Sequence, residues 1–412
     1  MSRAHDPYGP LRIRNFRWLI LAYGTSTVAR EAQIVVVGWQ VYEHTHDPLS
    51  LGLIGLSEAL PFIAVALYAG HVADRASRRA IALLGTIGIA LSAAALLLFT
   101  LHPSMLAAGH VWPIYAVIFA SGIARSFTRP SVTALSAEVI PRELYASAVV
   151  WRTSTWQFAA VVGPALGGLL YGFGGAVLAY TVVLVLFAAA IIALLFISHQ
   201  SEPRAAASDS VSESLKTGLR FLFAQPVLMS AMTLDLFSVL FGGATALLPI
   251  FARLLGAGPQ GLGLLRAAPA AGSLLIGLFL AYRPPLRRAG MTLFCAVALF
   301  GLSMIAFALS RNFYLSLGIL AFSGMADNVS VLIRGTLLQT RTPHELLGRV
   351  SSVNQIFIGS SNEIGAFESG LAARLLGTVP SVIFGGVMTL VVVAVIASAS
   401  PGLRKMREIG DS

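Results

Sequence analysis

The hydrophobic residues of this chain are gathered into runs long enough to cross a lipid bilayer, and no other feature narrows its fold so far. The runs fall at approximately 16–42, 49–72, 79–100, 111–132, 146–171, 176–198, 226–252, 257–281, 290–310, 313–336, 346–371 and 378–399. A bilayer's hydrocarbon core is crossed by about 20 apolar residues of helix. Inside it every backbone polar group must be bonded by the protein itself, so only helices and closed barrels span. Continuous apolar runs without two-residue alternation are helical, and the fold class is therefore an all-α membrane protein with twelve transmembrane helices. The residue inventory agrees, with 56% hydrophobic and 11% charged residues, where a soluble domain carries roughly a quarter charged. The first run follows Arg3, Arg12, Arg14 and Arg17 but has no small-residue cleavage pattern, so it reads as a retained helix rather than a signal peptide.

Charge placement gives an orientation. Of the 28 Lys and Arg residues, nineteen fall on the side shared by the two termini, three (Arg253, Arg311 and Arg374) on the other, and six within spans. Positive charge accumulates in cytoplasmic loops, which predicts both termini in the cytoplasm. The net charge of +10 thus reflects topology, and the basic clusters lack the interleaved aromatics of a nucleic-acid surface. The lone Cys295 lies in an apolar run and forms no intramolecular disulfide.

The chain divides in two. Residues 199–225 are polar and form a linker between six-span halves, 1–198 and 226–412. The end of the linker, from Ser212 to Phe223, sets Leu215, Leu219 and Leu222 on one helical face and Lys216 and Arg220 on another; it reads either as a short interfacial helix or as an early start to span seven. An offset of 202 matches Ser121-Gly122-Ile123-Ala124 with Ser323-Gly324-Met325-Ala326, Pro141 with Pro343, Glu143 with Glu345, Gly163 with Gly365 and Gly168 with Gly370. An offset of 208 matches Pro61 with Pro269. Matches in this order indicate a duplicated unit, the arrangement many transporters use to enclose a central site. Thr342-Pro343-His344-Glu345 reads as the capped start of span eleven.

Ionisable residues inside the spans mark the expected path. Spans three, six, nine and twelve have none in their interiors, whereas the others hold Arg30, Glu31, Glu58, Arg125, Arg129, Arg152, Asp235, Arg266, Asp327, Arg334, Glu363 and Glu368. A charge at the bilayer centre costs about 2.5–3.5 kcal/mol, so the eight charged spans are expected around a wet path, with the other four against lipid. Glu31, Asp235, Glu58 and Asp327 lie nearest mid-membrane and are the candidates for carrying a coupling proton, Glu31 and Asp235 foremost. Arg30, Arg125, Arg334, Trp39, Phe237 and Glu363 are candidates for lining a substrate cavity.

Three stretches carry a family resemblance. Gly70-His71-Val72-Ala73-Asp74-Arg75-Ala76-Ser77-Arg78-Arg79 resembles the cytoplasmic loop signature of the major facilitator superfamily, with Val72 and Ser77 in place of its usual Leu and Gly. Gly163-Pro164-Ala165-Leu166-Gly167-Gly168, in span five, resembles the signature of that superfamily's exporters. Phe221 to Pro226, Leu337 to Pro343 and Leu347 to Val350 resemble the enterobactin exporter branch. The resemblance implies two pseudo-symmetric six-helix bundles, a cytoplasmic gate built on Gly70, Asp74, Arg75, Arg78 and Arg79, and a helix-five exporter element at Gly163, Pro164, Gly167 and Gly168. It also implies export of siderophores, macrolides or drug-like compounds by alternating access.

No ATP motor resides in the chain, because a phosphate-binding loop needs Gly-Lys-Ser/Thr and the two lysines, Lys216 and Lys405, follow Leu215 and Arg404. The expected function is a secondary transporter in a bacterial cytoplasmic membrane, a monomer without cofactor or metal, exchanging a small molecule for protons. The alternatives are a proton-coupled importer of a small organic solute and, from another class, an intramembrane enzyme. No Gly-x-Ser-x-Gly or His-Glu-x-x-His pattern supports an enzyme. His44 and His46 lack a third metal ligand.

Overall fold

The computed structural model describes residues 6–75, 77–105, 111–198, 211–282 and 288–406, and these form helices and no strand. Helices α1 (Arg14–Thr45), α2 (Pro48–Arg75), α3 (Arg78–Leu101) and α4 (Trp112–Glu138) provide the first four spans. Helix α5 (Tyr145–Leu195) provides the next two. Its 51 residues would extend about 75 Å if straight, more than twice the roughly 30 Å of hydrocarbon. The chain turns back at Gly174 (φ −140°, ψ 17°) and Gly175 (φ 67°, ψ −169°), and the second of these conformations is open essentially to glycine alone.

The second half begins with α6 (Val211–Ala224), a separate helix ended by extended backbone at Gln225 before Pro226. Its Leu222 is fully buried, and Gly218 packs against the Arg349 carbonyl. There follow α7 (Pro226–Gly242), α8 (Leu248–Leu254), α9 (Gly258–Ala281), α10 (Ala289–Leu309), α11 (Phe313–Arg341), α12 (Leu347–Leu376), α13 (Thr378–Ala399) and the short α14 (Pro401–Lys405).

Span seven differs from its expected form. The hydrophobic run predicts one helix over 226–252, but the structure breaks it between α7 and α8 at Gly243 and a single 3-10 turn, Ala244–Leu247. Gly385 approaches the Phe241 carbonyl so closely that a Cβ on it would collide. The Gly243 carbonyl, freed from the helical ladder, accepts a hydrogen bond from Ser369 Oγ at 2.8 Å. Non-helical backbone at membrane depth is stable only where protein supplies such a partner.

The start of span eleven also differs. Thr342 follows the end of α11 with extended backbone, its buried Oγ1 without a partner, and α12 begins at Leu347 after a turn closed by Leu346 N–H to the Pro343 carbonyl. Pro disfavours helical backbone in the residue before it, which holds Thr342 extended and moves the helix start down the chain. The first half repeats the pattern: Pro141 precedes the turn Arg142–Leu144, and α5 begins at Tyr145.

Packing divides the chain into one unit of 1–45 with 60–207 and a second of 46–59 with 208–412, so α2 contributes to both. The first unit centres on Phe16, Leu19, Leu135, Leu194 and Ile197. The second centres on Leu228, Leu234, Leu293, Leu337 and Val350. In lipid, apolar side chains gain nothing by leaving water, so close packing of small residues holds the helices together.

Eight segments are apolar and long enough to cross a membrane, and one of them, Arg142–Leu195, contains two crossings. Helices α1, α4 and α12 fall outside that set and carry Arg30, Glu31, Arg125, Arg129, Glu363 and Glu368. The uncharged spans expose apolar rows, Leu84, Leu91 and Leu98 on α3, Leu178, Val185 and Ile192 on the second limb of α5, Leu302 and Leu309 on α10, and Phe384, Val387, Val391 and Val395 on α13, and the charged α9 and α12 expose others, such as Leu275 and Leu278 or Leu371 and Leu375. Spacings of three, four and seven residues keep each row on one face.

Candidate functional site

In the second unit, the decisive pairing joins α7 to α11. Arg334 Nη1 meets Asp235 Oδ2 in an ion pair whose side chains are each 11% exposed. Arg334 Nε also donates to its own helix, at the Ser330 carbonyl, 3.3 Å away. The Asp235 backbone is set by α7, whose preceding turn is locked by the fully buried Leu228, Ala231 and Leu234. Asp327 lies on the same helix as Arg334 but is not its partner, and it makes no hydrogen bond or ion pair among the described residues. The neighbouring Asn328 is engaged, donating to the Ser273 carbonyl at 2.8 Å.

In the first unit, positive charge converges. Arg30, Arg129 and Arg152, from α1, α4 and α5, lie within electrostatic range of Tyr23 on α1. Arg129 also feels Arg125, Arg30 and Arg152. The Arg125 guanidinium sits 5.5 Å over the Phe62 ring, a favourable cation–π placement. Glu31 takes one of these cations, with Arg30 Nη1 to Glu31 Oε1 at 3.2 Å and side chains 28% and 17% exposed.

The exporter-like stretch of α5 lies against the same part of α1. A Cβ on Gly163 would stand 2.5 Å from Glu31 Cβ, and one on Gly167 would stand 2.5 Å from the Ala32 carbonyl oxygen. Pro164 and Gly168 are buried beside them. In the other half, Gly365 meets the Val239 and Leu240 carbonyls of α7. The repeat thus aligns Glu31 with the Val239 level, and Asp235 stands one turn nearer the start of its helix.

Of the cytoplasmic-loop residues, the packing of Gly70 and the side chains of Asp74 and Arg75 lie outside what the structure describes. Arg78 pairs with Glu138 at the end of α4. Arg79 donates to the Leu194 carbonyl at 3.1 Å and the Leu195 carbonyl at 2.7 Å, satisfying orphan acceptors at the end of α5, where a cation is favoured. Arg79→Gln is expected to cost about 1–2 kcal/mol and to lower the melting temperature of the purified protein by a few degrees; an unchanged melting curve would contradict this capping role.

The remaining candidates are dispersed. Trp39 is buried and donates through Nε1 to Glu43 Oε1 at 2.6 Å, and Tyr171 donates to the same carboxylate at 2.5 Å. Nearby, Gln40 links Tyr180 at 2.8 Å to Thr100 at 3.0 Å. Phe237 stacks on Phe241 with centroids 6.2 Å apart. Glu363 flanks Gly55 of α2, and Glu58 lies about one turn further along that helix. His44 bonds back to the Gln40 carbonyl and His46 lies 3.3 Å from Arg253, so the two imidazoles are committed separately. The sequence reading passed over Tyr23, Arg129 and Arg152 as site residues, although Arg125 and Arg129 one turn apart, and Tyr23 two turns before Arg30, are spacings that share a face.

The profile described as "Transmembrane secretion effector" matches residues 5–410. The enterobactin exporter EntS of Shigella flexneri is 28% identical over 403 residues, covering 95% of this chain and 93% of that protein. EntS of Escherichia coli O1:K1 is similar to the same extent. Among solved structures, a bacterial homolog of the human lysosomal transporter Spinster, inward-facing and unoccupied, superposes with a TM-score of 0.75 at 15% identity, covering 97% of this chain and 99% of that one. A D-xylose-proton symporter superposes with a TM-score of 0.74 at 14% identity over 96% of this chain and 99% of its own.

Proposed function

The chain belongs to the transmembrane secretion effector family of the major facilitator superfamily, a multi-pass transporter of the bacterial inner membrane, and from that premise we propose that it exports a siderophore-like small molecule in exchange for protons. The observation that carries the exchange is the ion pair of Asp235 with Arg334 across α7 and α11. A proton taken up by Asp235 removes the negative charge that holds Arg334, so protonation and separation of the two helices become one event. Ion pairs buried in a membrane protein mark proton relays and transport pathways. Asp327, on α11 with Arg334, is the second candidate for that proton, and Glu31 and Glu58 the further ones.

Export rather than uptake is supported by the similarity to enterobactin exporters along 95% of the chain and by the glycine seam of α5 against α1. The positive-charge asymmetry puts both termini in the cytoplasm. In this reading the protein acts as a monomer. In everted membrane vesicles energised by respiration, a tricatecholate siderophore is expected to accumulate and to leak out again when a protonophore is added. Accumulation only in right-side-out vesicles would replace export with proton-coupled import. Accumulation that survives the protonophore would remove the proton from the reading.

A further inference from the structure

On the outer surface of the second unit a groove of about 420 Å³ runs between α10 and α11. Leu299, Leu302 and Ala306 of α10 form one wall, and Tyr314, Ile319 and Phe322 of α11 form the other. From Tyr314 to Phe322 it follows about 12 Å of helix. It is open at Gly318, where an added Cβ would meet nothing within 4 Å. Neighbouring helices in a bilayer are held by close packing, so a hollow of this size between two of them calls for an occupant. The Ser303 hydroxyl in its lining is already engaged, donating to the Leu299 carbonyl at 2.7 Å, and the remaining surface suits hydrocarbon. Tyr314 is 80% exposed, and tyrosine favours the level of the lipid headgroups, where its ring stays apolar and its hydroxyl wet.

The turn that joins the two helices adds a charge. Of the three basic residues on the side away from the termini, Arg253 lies 3.3 Å from His46 and Arg374 lies 3.7 Å from Asp47. Arg311 is exposed and makes no hydrogen bond or ion pair among the described residues. In the chain it falls between Ala306 and Tyr314, the last groove residue of α10 and the first of α11. Its base is firmly held: Asn312 Oδ1 accepts from the Leu315 N–H at 3.0 Å, and Ser316 Oγ donates to Ser310 Oγ at 2.9 Å. The same turn opens α11, a helix of 29 residues whose first N–H groups add positive partial charge at this end. Guanidinium groups match phosphate oxygens in pairs and keep their charge at any physiological pH.

We propose that the groove between α10 and α11 binds an anionic phospholipid, with an acyl chain lying over Gly318 and the phosphate held by Arg311. With both termini in the cytoplasm, as charge placement indicates, the lipid belongs to the outer leaflet of the membrane. The site is separate from the cargo path and from the proton, and it stands whichever way transport runs.

Purified full-length protein in a neutral detergent is titrated with dioleoyl phosphatidylglycerol and, separately, with zwitterionic dioleoyl phosphatidylcholine, and bound lipid is counted by native mass spectrometry. Wild type is expected to bind phosphatidylglycerol about fivefold more tightly, the effect of one basic residue beside an anionic headgroup. Arg311→Gln should remove that preference and Arg311→Lys should keep it; both alter an exposed side chain, so the comparison does not depend on repacking. Gly318→Leu, which puts a side chain into the groove, should weaken both lipids several-fold without lowering the melting temperature. Gly335→Leu on the same helix, where a Cβ also meets nothing, should bind both lipids as wild type does. Equal affinity for the two lipids in wild type, a preference that survives Arg311→Gln, or binding unmoved by Gly318→Leu would each overturn the proposal. A mass of two chains that falls to one in Gly318→Leu would put a second copy of the protein in the groove and remove the lipid.

Discussion

Asp235→Leu alone is expected to yield little folded protein and no gradient-driven export, whereas Asp235→Leu together with Arg334→Met should fold near normally and still fail to couple transport to protons. The first variant leaves Arg334 charged inside the bundle without the carboxylate it meets on α7. Removing one member of a buried pair costs about 3–5 kcal/mol, chiefly through the charge left behind. Replacing both members with apolar residues of similar volume is often neutral or stabilising, which separates the pair's structural part from its transport part. Thermal denaturation in detergent reads the first, and cargo flux in vesicles with an imposed pH gradient reads the second. A double variant that exchanged cargo for protons at the wild-type rate would show the pair to be scaffold only, and coupling would then pass to Asp327.

Gly167→Val should be as damaging by a different route. Its added Cβ would stand 2.5 Å from the Ala32 carbonyl oxygen and 2.8 Å from Ala32 Cα, so the obstacle is backbone, which cannot rotate aside. Overpacking typically costs about 1–3 kcal/mol and more where nothing can yield, and here relief requires α1 and α5 to separate at the level of Glu31. A drop of many degrees in melting temperature is expected, with export reduced at least tenfold in whatever protein remains. Gly335→Ala on α11 is the matched control, since a Cβ there meets nothing and alanine favours helix by about 1 kcal/mol. Equal behaviour of the two variants would dismiss the close-packed seam.

Much of this was legible beforehand because it depends on local composition. Apolar length set the spans, and exposed leucine and valine rows lie on α3, α5, α10 and α13 as well as on the charged α9 and α12, so exposure does not single out the uncharged spans. Gly174-Gly175 separated spans five and six in the sequence as they do in space. The break after Gly242 was missed because the run from 226 to 252 stays apolar throughout, and hydropathy is blind to backbone hydrogen bonding; the glycine pair and Pro249 were its available signals. The start of α12 was placed too early because a capping pattern outweighed the extended backbone that Pro343 imposes on Thr342.

The sequence by itself determined a helical membrane protein, its twelve crossings and the list of ionisable residues that lipid would not tolerate, since each follows from the cost of exposing polar groups to hydrocarbon, and its duplication, which the matches at a fixed offset carry. Only the tertiary structure decided how those residues are shared out: Arg334 to Asp235 rather than to Asp327, Tyr171 to Glu43, and Arg30, Arg129 and Arg152 within electrostatic range of Tyr23. Partner choice depends on the rotation and depth of whole helices. Those are fixed by close contacts such as Gly167 on Ala32 and Gly385 on Phe241, between residues far apart in the chain.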